Sequence, residues 1–133
     1  MKKITLLTAF ISLIACSLSA QTRIAAKVAA KHLNETVTIA DKVYSTKLIE
    51  NTNMVLLDLG GEHPNQLLTV VIKGRDRAKF NGKPEEYYKG RDVTVTGKLI
   101  DYRGKPEIVV SSPDDLKLTL NDNIVKPKVK TRN

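Results

Sequence analysis

Lys73, Arg75, Arg77 and Lys79 place a cation at every second position of a short polar stretch. Further on, Tyr102-Arg103-Gly104-Lys105 sets an aromatic ring beside two cations, and Lys42 with Tyr44 repeats that pairing earlier in the chain. Cations along a track attract phosphates, and aromatic faces stack bases at about 1–3 kcal/mol each. These residue types therefore suit single-stranded nucleic acid or another polyanion. Each also has a plainer role: a solvated connector for the four cations, and for Tyr102 a turn residue packed over the rim of the fold.

Reactive chemistry is thinly supplied. The chain has 2 histidines and 1 cysteine. Glu62-His63 with Asp58 nearby could touch a metal, but no ligand spacing repeats, so a polar loop is the better account. No nucleophile motif or glycine-rich phosphate loop occurs. A binding module without cofactor or metal is expected, not an enzyme.

The formal net charge of +8 is unevenly placed. Lys73 to Arg91 holds seven cations against three acids, and Lys126, Lys128, Lys130 and Arg132 have no acid among them. Arg23 to Ile72 is balanced, and Asp92 to Val125 is slightly acidic. Two basic patches favour a polyanionic partner, or simply solubility.

Residues 1–20 read as a leader rather than as structure. Lys2-Lys3 precede an apolar run, Ile4 to Ala15, that is short of the ~20 residues needed to span a bilayer. One reading cuts after Ala20 and exports the protein to the periplasm or medium. The other takes Leu13-Ile14-Ala15-Cys16, which resembles a bacterial lipobox, and lipidates Cys16; only then is a membrane a partner. Either way no cysteine remains for a disulfide.

The elements that must position the candidate residues follow. Residues 21–34, rich in alanine, predict an N-terminal helix. Residues 35–120 predict a single domain. Val37, Ile39 and Val43 mark a first strand with a bulge near Ala40–Lys42. Val55, Leu57 and Leu59 mark a second, and Leu67 to Ile72 a third that is buried on both faces. A helical connector through Gly90 offers Phe80 and one of Tyr87/Tyr88 to the core. Val93, Val95 and Leu99 share a face across Gly97, Arg103-Gly104-Lys105-Pro106 is a turn, and Ile108-Val109-Val110 is the return strand. Leu116 to Leu120 alternates as a short final strand that closes the domain, and 121–133 is a basic, flexible tail.

Val93 to Leu118 resembles the closing strands of bacterial OB-fold domains of the nucleic-acid-binding, tRNA-anticodon-binding-like type, with Tyr102, Gly104 and Pro106 at the characteristic turn. The likeness extends over about residues 24–120 as pattern rather than as catalytic motif. It implies an all-β fold with short helices: a five-stranded OB-fold barrel preceded by an N-terminal helix. It further implies a ligand surface on strands 2–3 and the flanking loops, with Lys42, Tyr44, Lys73, Arg75, Arg77, Tyr102, Arg103 and Lys105 as binding residues. The expected function is weak, charge-driven binding of single-stranded nucleic acid. The alternative is an envelope module of stress-protein type whose partner is a protein or a small ligand.

Overall fold

The computed structural model describes residues 23–120, so the leader with Cys16 and the basic stretch 121–133 lie outside the described residues. The chain forms strands β1 (Arg23–Ile24), β2 (Thr36–Ile49), β3 (Met54–Leu59) and β4 (Leu68–Ile72), then the helix α1 (Pro84–Tyr87). Strands β5 (Asp92–Lys98), β6 (Ile100–Tyr102), β7 (Lys105–Val110) and β8 (Leu116–Leu118) follow. Mainly β with short helices is thus the observed class.

All the strands join one sheet in the order β6–β7–β4–β3–β2–β5–β8, with β1 alongside β2. β5 and β6 are one extended segment interrupted at Leu99. Its first half pairs antiparallel with β2 and its second half with β7. β4 and β7 run parallel, Thr69–Ile72 beside Glu107–Val110. Beside the five expected barrel strands and the short final strand, here β8, two more stand, because Leu99 splits one strand and the short β1 adds a pairing to β2.

β2 spans both parts of the sheet. Thr36 to Lys42 pairs with β5, and Val43 to Ile49 pairs with β3. The register shifts between Val43 and Ser45, so the bulge falls at Tyr44 rather than at Ala40–Lys42. An extra residue re-aims every side chain beyond it, which is why Leu48 packs on the core with the parity opposite to Val43.

The N-terminal segment is not the expected helix. β1 is followed by a 3₁₀ turn over Ala26–Lys31, with no side-chain cap at Ala25. Ala26 and Ala29, three apart, are both buried, and side chains at i and i+3 eclipse in a 3₁₀ helix. Packing two methyl groups along one line against the sheet outweighs alanine's α preference, and six residues are too few to nucleate an α-helix unaided. The Asp41 carboxylate accepts from the Ala26 N–H at 3.1 Å and anchors the entry.

The core is aliphatic. Ile39, Leu57, Leu59, Leu68, Ile72, Leu99, Ile108 and Leu116 are almost wholly buried, as is Tyr88, whose hydroxyl donates to the Leu116 carbonyl at 3.2 Å. Phe80 closes one side of that core. α1 opens on Pro84, whose missing N–H would be unpaired there in any case, with Glu85 and Glu86 in the first turn.

Candidate functional site

The register of β2, β3, β4 and β7 lines up side chains that sequence spacing alone does not bring together. Ser45 lies opposite Asp58, Asp58 opposite Thr69, and Thr69 opposite Glu107. Two residues along each strand, Leu56, Val71 and Val109 form a parallel apolar row. Side chains two apart share a face, so a polar row and an apolar row lie side by side on the outward surface. Asp58, Thr69 and Glu107 of the first row and all of the second floor a groove of about 470 Å³.

The polar row is hydrogen-bonded from Ser45 as far as Thr69. Ser45 and Thr69 hydroxyls donate to the two oxygens of the Asp58 carboxylate, at 2.9 and 3.2 Å. The His63 N–H donates to Ser45 Oγ at 3.1 Å, and Gln66 Nε2 to Thr69 Oγ1 at 3.4 Å. Asp58 is only 4% exposed and makes no ion pair among the described residues, so these hydroxyls carry its stabilisation. Glu107 differs. Burial pushes its carboxyl up from the ordinary value, with the Lys73 charge opposing, and no described residue hydrogen-bonds it.

The rim is a tight hairpin. Tyr102 pairs with Lys105, which leaves Arg103 and Gly104 as a two-residue turn. Both have positive φ, 51° and 84°, as a type I′ turn demands. Asp101 Oδ1 accepts from the Gly104 N–H at 2.7 Å. The turn carries the Arg103 guanidinium over the Tyr102 ring, 5.3 Å from its centroid, and Tyr102 stays 53% exposed. Lys105 Nζ reaches across to the Pro64 carbonyl and ties the hairpin to the loop that follows β3.

Of the residues expected to bind, the groove gathers Lys73, Tyr102, Arg103 and Lys105. Lys42 and Tyr44 lie outside its lining and stack on one another, 5.3 Å apart, at the bulge. Arg75 projects into solvent beside Asp76. Arg77 is held internally, at 2.6 Å from Glu85 and 3.0 Å from Asn53 Oδ1. Burial pushes the Glu85 carboxyl up, but the Arg77 hydrogen bond and charge outweigh it and hold that carboxyl below its ordinary value. The Lys79 ammonium does the same for Asp76 at 2.8 Å.

Sequence reasoning missed Ser45, Thr69 and Glu107, and noticed Asp58 only as a neighbour of His63. The signal was present: an acid within the apolar run Met54–Leu59, and another directly before the β-branched run Ile108-Val109-Val110. Among the described residues no three His, Cys, Asp or Glu side chains converge as a metal would require. No helix there is long and apolar enough to cross a membrane.

No family model matches the chain, and no curated protein matches it. Among solved structures it is similar to a protein assigned as an aspartyl-tRNA synthetase from Leishmania major Friedlin, at 12% identity and TM-score 0.48, covering 80% of this chain and 22% of that one. It is also similar to the Entamoeba histolytica asparaginyl-tRNA synthetase in complex with asparaginyl-adenylate, at 19% identity and TM-score 0.48, covering 78% and 25%. The chain thus spans a quarter or less of those proteins' length. So loose a likeness carries nothing about activity, and function has to be read from the groove.

Proposed function

We propose that this protein is a binding module of the OB type that takes single-stranded nucleic acid across the β3–β4–β7 groove, weakly and mainly through charge. The supporting observation is the grouping of Lys73, Arg103, Lys105 and the exposed Tyr102 around an apolar floor. Phosphates lie along the three cations, and bases lie on Tyr102 and the Leu56–Val71–Val109 row. In this reading the β5–β6 segment, bent at Leu99, closes the sheet into a small five-stranded barrel with the groove on its outer wall. The module is exported, cleaved after Ala20 or lipidated at Cys16, and does no chemistry of its own.

A salt titration of oligonucleotide affinity tests the assignment. Three phosphate contacts on a single strand give a slope of log affinity against log salt of about −2. Absence of binding at low salt removes it. Mass spectrometry of the mature N-terminus decides between the two leader readings.

The apolar floor and its two carboxylates favour a second reading, an envelope module that binds a protein or a small ligand. Capture of the same envelope partner after deletion of residues 121–133, with no oligonucleotide binding, would select it.

A further inference from the structure

Two carboxylates on the floor of a phosphate-attracting groove call for a physical reason, because each repels a phosphate. Asp58 has one: it is buried and organises Ser45 and Thr69. Glu107 has no such task. It neighbours Thr69 on β4 and Ile100 on β6, lines the groove, and has no hydrogen-bond or ion-pair partner among the described residues. An ionised carboxylate accepts hydrogen bonds and donates none, so the ligand group that suits this open one is rich in donors.

The surroundings narrow that group. Beside Glu107 runs the apolar row Leu56, Val71 and Val109, whose aliphatic side chains line the groove and suit the face of a ring. Lys73, Arg103 and Lys105 stand around the rim, where they attract the phosphates. A nucleobase seated on the floor with its sugar–phosphate at the rim satisfies both. Of the bases, guanine alone presents two adjacent donors, N1–H and N2–H, on its Watson–Crick edge, matching the two oxygens of one carboxylate. Adenine and cytosine offer one amino donor beside a ring acceptor. Uracil and thymine flank a single N–H with two carbonyl oxygens, which the carboxylate repels.

We infer that Glu107 reads the base edge of a bound single strand and gives the groove a preference for guanine. This rests on the nucleic-acid reading above and adds to it a selectivity that charge alone does not supply. Unstacked bases recognised through their Watson–Crick edges are the usual way a single strand is told apart by sequence.

The test uses a short oligothymidylate and the same strand carrying one central guanine or one central hypoxanthine, read by fluorescence anisotropy. In the unaltered protein guanine tightens binding about tenfold, as one bidentate base contact allows, and hypoxanthine, which lacks the N2 amino group, falls between. In Glu107→Gln the guanine-to-thymine ratio collapses to about twofold or less, since an amide offers only one acceptor to the two donors. Equal affinity for all three strands in the unaltered protein overturns this inference and leaves charge-driven binding standing. A full guanine preference retained by Glu107→Gln also overturns it. Failure of every strand to bind at low salt overturns the nucleic-acid reading and this inference together.

Discussion

Gly97 of β5 lies so close to Ile108 of β7 that a Cβ on the glycine would stand 2.6 Å from Ile108 Cγ2. Ile108 is fully buried and cannot step aside. The contact joins strands that are far apart in the sheet order, one before and one after the interruption at Leu99 in the chain. Gly97→Ala is expected to lower stability by about 1–3 kcal/mol, as overpacking does. Ile108→Ala removes the opposing methyl at a cost of about 2–5 kcal/mol, and the double variant loses less than the sum. Urea unfolding of the four proteins checks this, and strict additivity would refute it.

The turn at the groove's rim holds an arginine where asparagine or glycine is at ease. Arg103 has φ 51°, and the left-handed region costs a non-glycine residue roughly 1–2 kcal/mol, least for asparagine. Arg103→Asn is therefore expected to raise stability by about 0.5–1 kcal/mol. The same change weakens oligonucleotide binding and flattens its salt slope by about 0.7, the share of one phosphate on a single strand. Thermal unfolding and a salt titration on one preparation measure both effects.

Glu107 has a pH signature. Burial raises its carboxyl above the ordinary value of 4.5, so the folded protein holds that proton more tightly than the unfolded chain does. Stability that this residue allows below 4.5 is lost as pH rises through the raised folded value, and the loss is constant beyond it. Glu107→Gln removes the penalty. The variant should be the more stable at pH 7, with an advantage that vanishes below pH 4.5. Denaturant unfolding across that range shows it; an advantage independent of pH would rule it out.

Arg77 and Arg75 should behave oppositely despite their like spacing. Arg77 is 2.6 Å from the largely buried Glu85 and also grips Asn53, stapling the turn after β2 to α1. Arg77→Gln leaves Glu85 without its cation and should cost about 1–3 kcal/mol, less than a fully buried pair because some solvent reaches both. Arg75→Gln, on a side chain 77% exposed, should stay within about 0.5 kcal/mol. The Arg77–Glu85 contribution has its own sign. Glu85 titrates below 4.5, so the stabilisation is present above that pH and fades as acid takes the folded protein through its lowered value. Loss of the Arg77→Gln effect in acid is the check.

Strands whose signal is local were legible, and relations across strands were not. Val93, Val95 and Leu99 alternate in the sequence and all three are buried. Arg103-Gly104 reads as a turn because its residue types and spacing are contiguous. The row Ser45–Asp58–Thr69–Glu107 could not be read, since its members meet only through three pairings, one of them parallel and non-local. Lys42 and Tyr44 miss the groove for a related reason. β2 changes partner between Lys42 and Val43, which leaves Lys42 opposite Asp92 on β5. The N-terminal segment misled through alanine: the propensity was real, but Ala26 and Ala29 serve close packing instead. Arg77 shows the same limit, because alternation with other cations says nothing about a buried glutamate eight residues away.

The parallel pairing of β4 with β7 has a consequence for how the molecule comes into being. Antiparallel neighbours such as β3 and β4 can zip from a nearby loop, whereas β7 must find β4 after α1, β5 and β6 have been laid down between them. Encounters so distant along a polypeptide are slow. The groove straddles that very seam, so it is completed late, and a chain halted short of the encounter has its cations but nowhere to seat a ring. A ligand that holds the finished groove would then act as a clasp, favouring the fully paired molecule over every partly assembled one.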